Sequence, residues 1–263
     1  MAVDVSLHGH VALLTLNEPQ RRNCISGKLV GDLHAALDSR EVAGARAIVI
    51  TGAGSAFCAG ADIHDLLTLG WLNGQDRTTS PVGVFRRLKE SAQVTIAAVN
   101  GMALGGGVEL MLGADLAVAS VDATFTLPEI AHGVIPNTGL ALLPAIVGRR
   151  RALEWVLTRR AVTADEALAC GLVSQVVATA EVVPTALALA ERIVANASPG
   201  AIAQAKRSLN RHAQVDWGEI EASLMRLPNE EWQEGLGAFT ERRKPDYARF
   251  WPVDPDRTRI NPA

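Results

Sequence analysis

The sequence predicts an α/β protein with a helical C-terminal part. Three observations carry that reading. Short strand-like apolar runs alternate with helical patterns up to about residue 130. From Thr138 onward helical patterns dominate, and one strand-like stretch remains, Leu172 to Val177. The 263 residues, 48% hydrophobic and 20% charged, suffice to bury one large core, or one core with an appendage.

The elements follow in order. Val3 to Leu7 and Val11 to Leu16 read as two strands, joined in a hairpin at His8-Gly9-His10. Ser26 is placed to cap a helix running to Asp38, with Leu29, Leu33, Ala36 and Leu37 on one face. Ala47 to Thr51 is a short buried strand that ends in a glycine-rich turn, and Asp62 opens a short helix. Leu72 to Pro81, polar and glycine-bearing, is expected to be a mobile loop. A helix over Val82 to Ser91 and a buried strand over Thr95 to Val99 come next. Gly105 to Leu112 reads as a loop turning into a helix, and Leu116 to Ala119 and Thr124 to Leu127 read as strands.

Composition excludes several classes of function. The net charge of −3 offers no general attraction to nucleic acid or to an anionic membrane surface. The apolar run from Val94 to Ser120 is broken by Asn100, Glu109, Asp115 and several glycines, a poor pattern for a membrane span. Strand-like alternation starts at the N-terminus, so no signal peptide is expected. The three scattered cysteines, Cys24, Cys58 and Cys170, fit reduced thiols in a cytoplasmic protein. The six histidines show no metal-ligand spacing, so no metal is expected.

Two stretches stand out. Val99 to Ser120 reads VNGMALGGGVELMLGADLAVAS, and Thr124 to Ile130 reads TFTLPEI. Gly105-Gly106-Gly107 lets the backbone approach another group closely, and Glu109 then projects from apolar surroundings where an unpaired charge is costly. Glu129 follows Pro128. Two carboxyls in one apolar cleft can divide acid and base work, although these two are too far apart in sequence to share a helix face. The bland alternatives are a tight-packing glycine turn, a capping Glu109 and a solvated Glu129.

These stretches, together with AFCAGADI (Ala56 to Ile63), NEPQRRNCI (Asn17 to Ile25) and GLGAFTERRKPDY near the end, resemble the enoyl-CoA hydratase/isomerase (crotonase) family in the right order and over roughly the whole chain. The resemblance implies the crotonase, or ClpP-like, spiral of β-β-α units over 1–195, and a C-terminal helical region over 196–263 used in trimer packing. Periodicity alone does not show the spiral. The implied substrate is an acyl-CoA thioester, with no separate cofactor and no metal, flavin or nicotinamide. The implied assembly is a homotrimer or a dimer of trimers.

By the same resemblance the backbone N–H groups of Ala61 and Gly106 form an oxyanion hole for the thioester oxygen. Glu109 helps activate a water, and Glu129 supplies the proton to the α carbon. Ala59, Asp62, Ile63, Gly105 and Gly139 border the bound substrate, with Asp62 equally readable as a helix cap. Arg22, beside Arg21, stands where the family places a basic residue near the CoA phosphates, and solvated charge explains it as well. Phe239 and Arg242, with Arg243 and Lys244, resemble tails that hold the nucleotide, sometimes from a neighbouring subunit. Asp115 reads as structural. His64 stands where a lysine is frequent. The family's Gly-Gly-Thr-Gln after the second acid becomes Gly139-Leu140-Ala141-Leu142, an apolar change in a segment that borders the acyl pocket. The implied reaction is hydration of a trans-2-enoyl-CoA to a 3-hydroxyacyl-CoA. Rivals are Δ3,Δ2-enoyl-CoA isomerisation, another crotonase-type lyase or hydrolase reaction, and a non-catalytic acyl-CoA-binding subunit.

Overall fold

The structure is a computed structural model that describes residues 1–73, 80–212 and 215–251. The N-terminal hairpin pairs β1 (Val3–His8) antiparallel with β2 (Val11–Leu16). β2 then runs parallel to β3 (Ala47–Gly52), which pairs with β5 (Val94–Val99), then β7 (Leu116–Ser120) and β10 (Gln175–Val177), completing a six-stranded sheet. A second sheet of four short strands, β4 (Ala56–Cys58), β6 (Met102–Leu104), β8 (Thr124–Thr126) and β9 (Val162–Thr163), lies in that order.

The two sheets are wound together. Each turn places one strand in the large sheet, the next in the small sheet, and then a helix. The turns are β3, β4 and helix Ile63–Thr68; β5, β6 and helix Gly106–Gly113; and β7, β8 and the 3-10 turn Glu129–His132. This is the implied β-β-α spiral. Every residue of β3 and β5 is buried, because the large sheet is covered on both faces. Alternation sends Val49 and Ile96 toward helix Val182–Ala195, where Ala186 and Leu189 meet them, while Ile48 and Ile50 join the core beneath the small sheet. Helix Gly27–Asp38 starts where expected, with the Ser26 hydroxyl accepting the Leu29 N–H at 3.1 Å.

Three differences from expectation have local causes. β4, β6 and β9 are two or three residues long, too short to display a period, and were not foreseen. The strand expected over Leu172 to Val177 is Gln175–Val177 only; Leu172 and Val173 instead donate their N–H groups back to the Ala167 carbonyl. Of the loop expected over Leu72 to Pro81, residues 74–79 lie outside the described residues, while Trp71–Asn73 is a 3-10 turn and a helix spans Pro81–Glu90.

Beyond residue 196 the described chain is helical: Pro199–His212, Trp217–Met225 and Asn229–Thr240. Asp115 is structural, accepting the Thr95 N–H at 2.8 Å and pairing with Lys206 Nζ at 2.6 Å, which ties helix Pro199–His212 to the sheet. Helix Trp217–Met225 packs on helix Asn137–Val147, and helix Asn229–Thr240 packs on the Glu129–His132 turn. The tail beyond it is clasped by buried Glu234, which takes Arg243 at 2.5 Å, Arg249 at 3.2 Å and the Asp246 N–H at 2.8 Å. The Arg243 guanidinium, above all, holds the Glu234 carboxyl down at about 2.

Candidate active site

The site begins at a sharp turn. Arg22 and Asn23 both adopt left-handed backbone (φ 52° and 55°), folding the chain so that Ile25 meets the strand exit at Gly60 to Asp62. The buried Asn23 amide anchors this turn, donating to the Ala53 and Ala56 carbonyls at 2.9 Å each. Ile25 donates to the Gly60 carbonyl at 2.7 Å and accepts the Asp62 N–H at 2.8 Å. The Ala61 N–H between them therefore faces away from Ile25. Among the described residues it has no protein acceptor, and neither has the Gly106 N–H at the first position of helix Gly106–Gly113. The two lie together: a Cβ on Gly106 would stand 3.4 Å from Ala61 N, and one on Gly60 would stand 3.2 Å from Gly106 N.

Both acids reach this place. Glu109, in the first turn of helix Gly106–Gly113, is 7% exposed, and its Oε1 accepts the Gly139 N–H at 2.9 Å. Burial pushes its carboxyl up to about 7, against the opposing pull of the Gly139 and Thr138 N–H groups. Glu129 enters from the other side. Its Oε1 lies 2.7 Å from where a Cβ on Gly105 would sit, and its Oε2 is buried with no hydrogen-bond partner among the described residues. Burial, then the charge of Glu109, raises its carboxyl well above the usual range. The pair therefore resists double ionisation.

Between them lies a cavity of about 180 Å³. Ala59, Ala61, Ile63, Gly105, Gly106, Glu109, Glu129 and Phe239 line it. Residue 239 thus comes from the same chain. Gly139 stands behind Glu109 as its amide donor. Arg22, Asp62 and Arg242 do not line the cavity: Arg22 is exposed with its carbonyl accepting the Ala59 N–H, Asp62 caps helix Ile63–Thr68 and pairs with Arg21, and Arg242 ends helix Asn229–Thr240 in left-handed backbone. The altered segment after Gly139 does not border the cavity as expected. Leu140 points outward at 41% exposure, Ala141 packs toward Trp217, and Leu142 enters the core, because successive helix residues face different directions.

Sequence reasoning missed apolar walls such as Trp71, Phe85, Val134 and Leu224, and the polar residues Ser80, His132 and Asn137. Phe85 was legible as an apolar helix residue, but periodicity does not say which buried face meets a cavity. Among the described residues no group of three or more His, Cys, Asp or Glu side chains is placed to hold a metal ion. No helix among them is long and apolar enough to cross a membrane.

Residues 7–249 match the enoyl-CoA hydratase/isomerase family. The chain belongs to that family. Within it, the chain is 35% identical to a short-chain-enoyl-CoA hydratase of Clostridium acetobutylicum, over 90% of this chain and 93% of that one. The solved carnitinyl-CoA hydratase of Mycobacterium avium is 38% identical with a TM-score of 0.76, over 93% of this chain and 97% of that one. A monofunctional enoyl-CoA isomerase of M. smegmatis is 31% identical with a TM-score of 0.68, over 84% of this chain and 98% of that one. Hydratases and an isomerase of the family thus share this architecture.

Proposed function

We propose that this family member is an enoyl-CoA hydratase, adding water across the double bond of a trans-2-enoyl-CoA to give a 3-hydroxyacyl-CoA. The observation that carries the reading is the convergence of two buried carboxyls on one cavity beside two adjacent, unused backbone N–H groups. The Ala61 and Gly106 N–H groups accommodate the thioester oxygen, where negative charge develops as the β carbon is attacked. The dipole of helix Gly106–Gly113 adds to this. Glu109, ionised and oriented by Gly139, takes a proton from the attacking water. Glu129, which holds its proton more firmly, delivers it to the α carbon. The water oxygen ends on the β carbon, and the proton gained by Glu109 restores Glu129 for the next turnover.

The reaction moves one water and involves no change of oxidation state overall, so it calls for no flavin or nicotinamide, and the acyl-CoA is itself the substrate. Ala59, Ile63, Gly105 and Phe239 would hold it in the cavity, with Asp62 at the rim and the exposed Arg22 and Arg242 available to the CoA phosphates. The isomerase reading retains one specific support, since Glu129 with the two N–H groups suffices to move a proton between the α and γ carbons. Incubation of 2-enoyl-CoA thioesters of several chain lengths in H₂¹⁸O separates the two. Hydration leaves ¹⁸O in the 3-hydroxyacyl product, read by mass spectrometry. Rapid conversion of 3-enoyl-CoA with no ¹⁸O uptake at any chain length would replace the hydratase by the isomerase. Binding of acyl-CoA with no turnover of either kind would leave a binding subunit.

The proposal extends to assembly and location. Residues 1–195 form the catalytic spiral and 196–263 the region that packs a homotrimer or dimer of trimers. Exposed Leu140, Ile146, Leu153 and Leu157, on consecutive helices Asn137–Val147 and Arg149–Thr158, add apolar surface that a partner subunit would cover. Sedimentation equilibrium tests this, and a monomer at micromolar concentration would refute it. Reduced Cys24 and Cys170, both partly accessible, suit a cytoplasmic enzyme; cell fractionation is the check.

A further inference from the structure

We propose that His132 is a substrate-recognition residue whose imidazole hydrogen-bonds a polar group of the bound thioester. The inference rests on the acyl-CoA reading of the cavity. Glu129 and His132 are the first and last residues of one 3-10 turn. Such a turn has three residues per revolution, so side chains three apart eclipse each other. His132 therefore stands over the same edge as Glu129, and both line the cavity.

The imidazole is held in place. It meets the Phe239 ring edge-on, with centroids 5.1 Å apart and planes at 86°. Its backbone is pinned as well. Gly133 is left-handed (φ 71°) and a Cβ there would come within 2.5 Å of the Glu231 carbonyl, while Gly235 lies directly against the His132 carbonyl. Helix Asn229–Thr240 thus fixes where the ring points.

Among the described residues its nitrogens have no hydrogen-bond partner. Burial, then the Arg159 charge, lowers its pKa from the ordinary 6.5, so near pH 7 the ring is neutral, with one nitrogen donating and the other accepting. A fixed, neutral, unpaired donor and acceptor on a largely apolar wall is suited to orienting a ligand. The complementary chemistry is a hydroxyl on the acyl group or an amide of the pantetheine arm.

Isothermal titration of the full chain with CoA, butanoyl-CoA and 4-hydroxybutanoyl-CoA tests this. These saturated thioesters cannot be hydrated, so binding is read apart from turnover. His132→Phe keeps a ring against Phe239 and removes both nitrogens; His132→Leu serves if that variant does not fold; His132→Gln restores a donor and an acceptor. Loss of one neutral hydrogen bond should weaken binding roughly 3- to 10-fold. Weakening of all three ligands places the partner on the pantetheine arm. Weakening of 4-hydroxybutanoyl-CoA alone places it on the acyl group. In either case His132→Gln should recover part of the loss. If His132→Phe binds all three ligands as the wild type does, His132 has no recognition role. If the wild type binds none of them, the acyl-CoA reading fails first and this proposal falls with it.

Discussion

Every residue of helix Gly106–Gly113 is buried, whereas the Glu129–His132 turn that faces it across the cavity has no fully buried residue. The two regions carry the same functional group and hold it differently. Glu109 is built into the spiral, on a helix packed against β4 and β6 of the small sheet and against helices Pro81–Glu90 and Asn137–Val147, and is tethered by the Gly139 N–H. Glu129 sits on a short turn that the end of the chain supports. Helix Asn229–Thr240 lies on it, and the Tyr247 hydroxyl donates to the Ala131 carbonyl at 3.1 Å. One carboxyl has its proton affinity tuned by hydrogen bonds that oppose burial. The other has an oxygen without a partner among the described residues and feels the first carboxyl as well. The difference gives two identical side chains unequal proton affinities, which a paired acid and base require.

The comparison can be broken most forcefully at the acids. Glu109→Gln and Glu129→Gln should each lower hydration by roughly 10²–10⁴ while CoA binding persists. Under the hydratase reading both variants fail; retained 3-enoyl-CoA isomerisation in Glu109→Gln alone would show that Glu129 acts by itself. The same variants test the tuning through stability. The folded Glu109 carboxyl titrates near 7 against an ordinary 4.5, so between these values the native state binds more protons than the unfolded one. Its contribution is therefore complete below about pH 4.5 and is lost as pH rises toward 7. Denaturant unfolding across that range should show stability falling with pH in the wild type and falling less in Glu109→Gln. Equal slopes would mean that burial does not raise this carboxyl.

Next in size is the N–H donor. Gly106→Pro removes it, and turnover should fall roughly 10²–10³. Circular dichroism must first show a folded chain; unimpaired turnover in a folded variant would refute the oxyanion role. Gly105→Ala sharpens the contrast from the Glu129 side. Gly105 has φ +53°, and the new methyl would press on the Glu129 carboxyl group. Strain of roughly 1–3 kcal/mol should appear in unfolding, with kcat reduced more than KM is raised. Unchanged stability and kcat would mean that the turn yields freely.

The smallest effect belongs to Tyr247→Phe, which deletes one partly buried hydrogen bond and should cost about 0.5–1.5 kcal/mol in unfolding. Its kcat loss should remain well below that of Glu129→Gln. A comparable loss would mean that the tail hydroxyl takes part in the chemistry and does more than support the turn.

Much of the secondary structure was legible because it is local. The Ser26 cap, the hairpin about Gly9 and the buried runs of β3 and β5 each write their conformation into neighbouring residues. The small sheet was not legible. Three-residue strands such as Ala56–Cys58 have no period, and their pairing with Met102–Leu104 is set by the winding of the spiral. At the site, Glu109, Glu129, Ala61 and Gly106 were found through motif resemblance, and the structure brings all four to one cavity. His132 and Trp71 carried no local mark that distinguishes a cavity wall from any other packed side chain.

By itself the sequence determined the alternating elements, the helical C-terminal part, and which segments carry chemistry in apolar surroundings. Those follow from side-chain period, capping and glycine placement, all of which act within a few residues. Only the tertiary structure decided that the Ala61 N–H has no acceptor among the described residues, since that depends on Ile25 bonding its neighbours on either side. It alone decided that Leu140, Ala141 and Leu142 turn away from the cavity, and that two distant carboxyls share one field. Burial and mutual repulsion arise from groups brought together by long-range packing, and no local pattern records which partners that packing will supply.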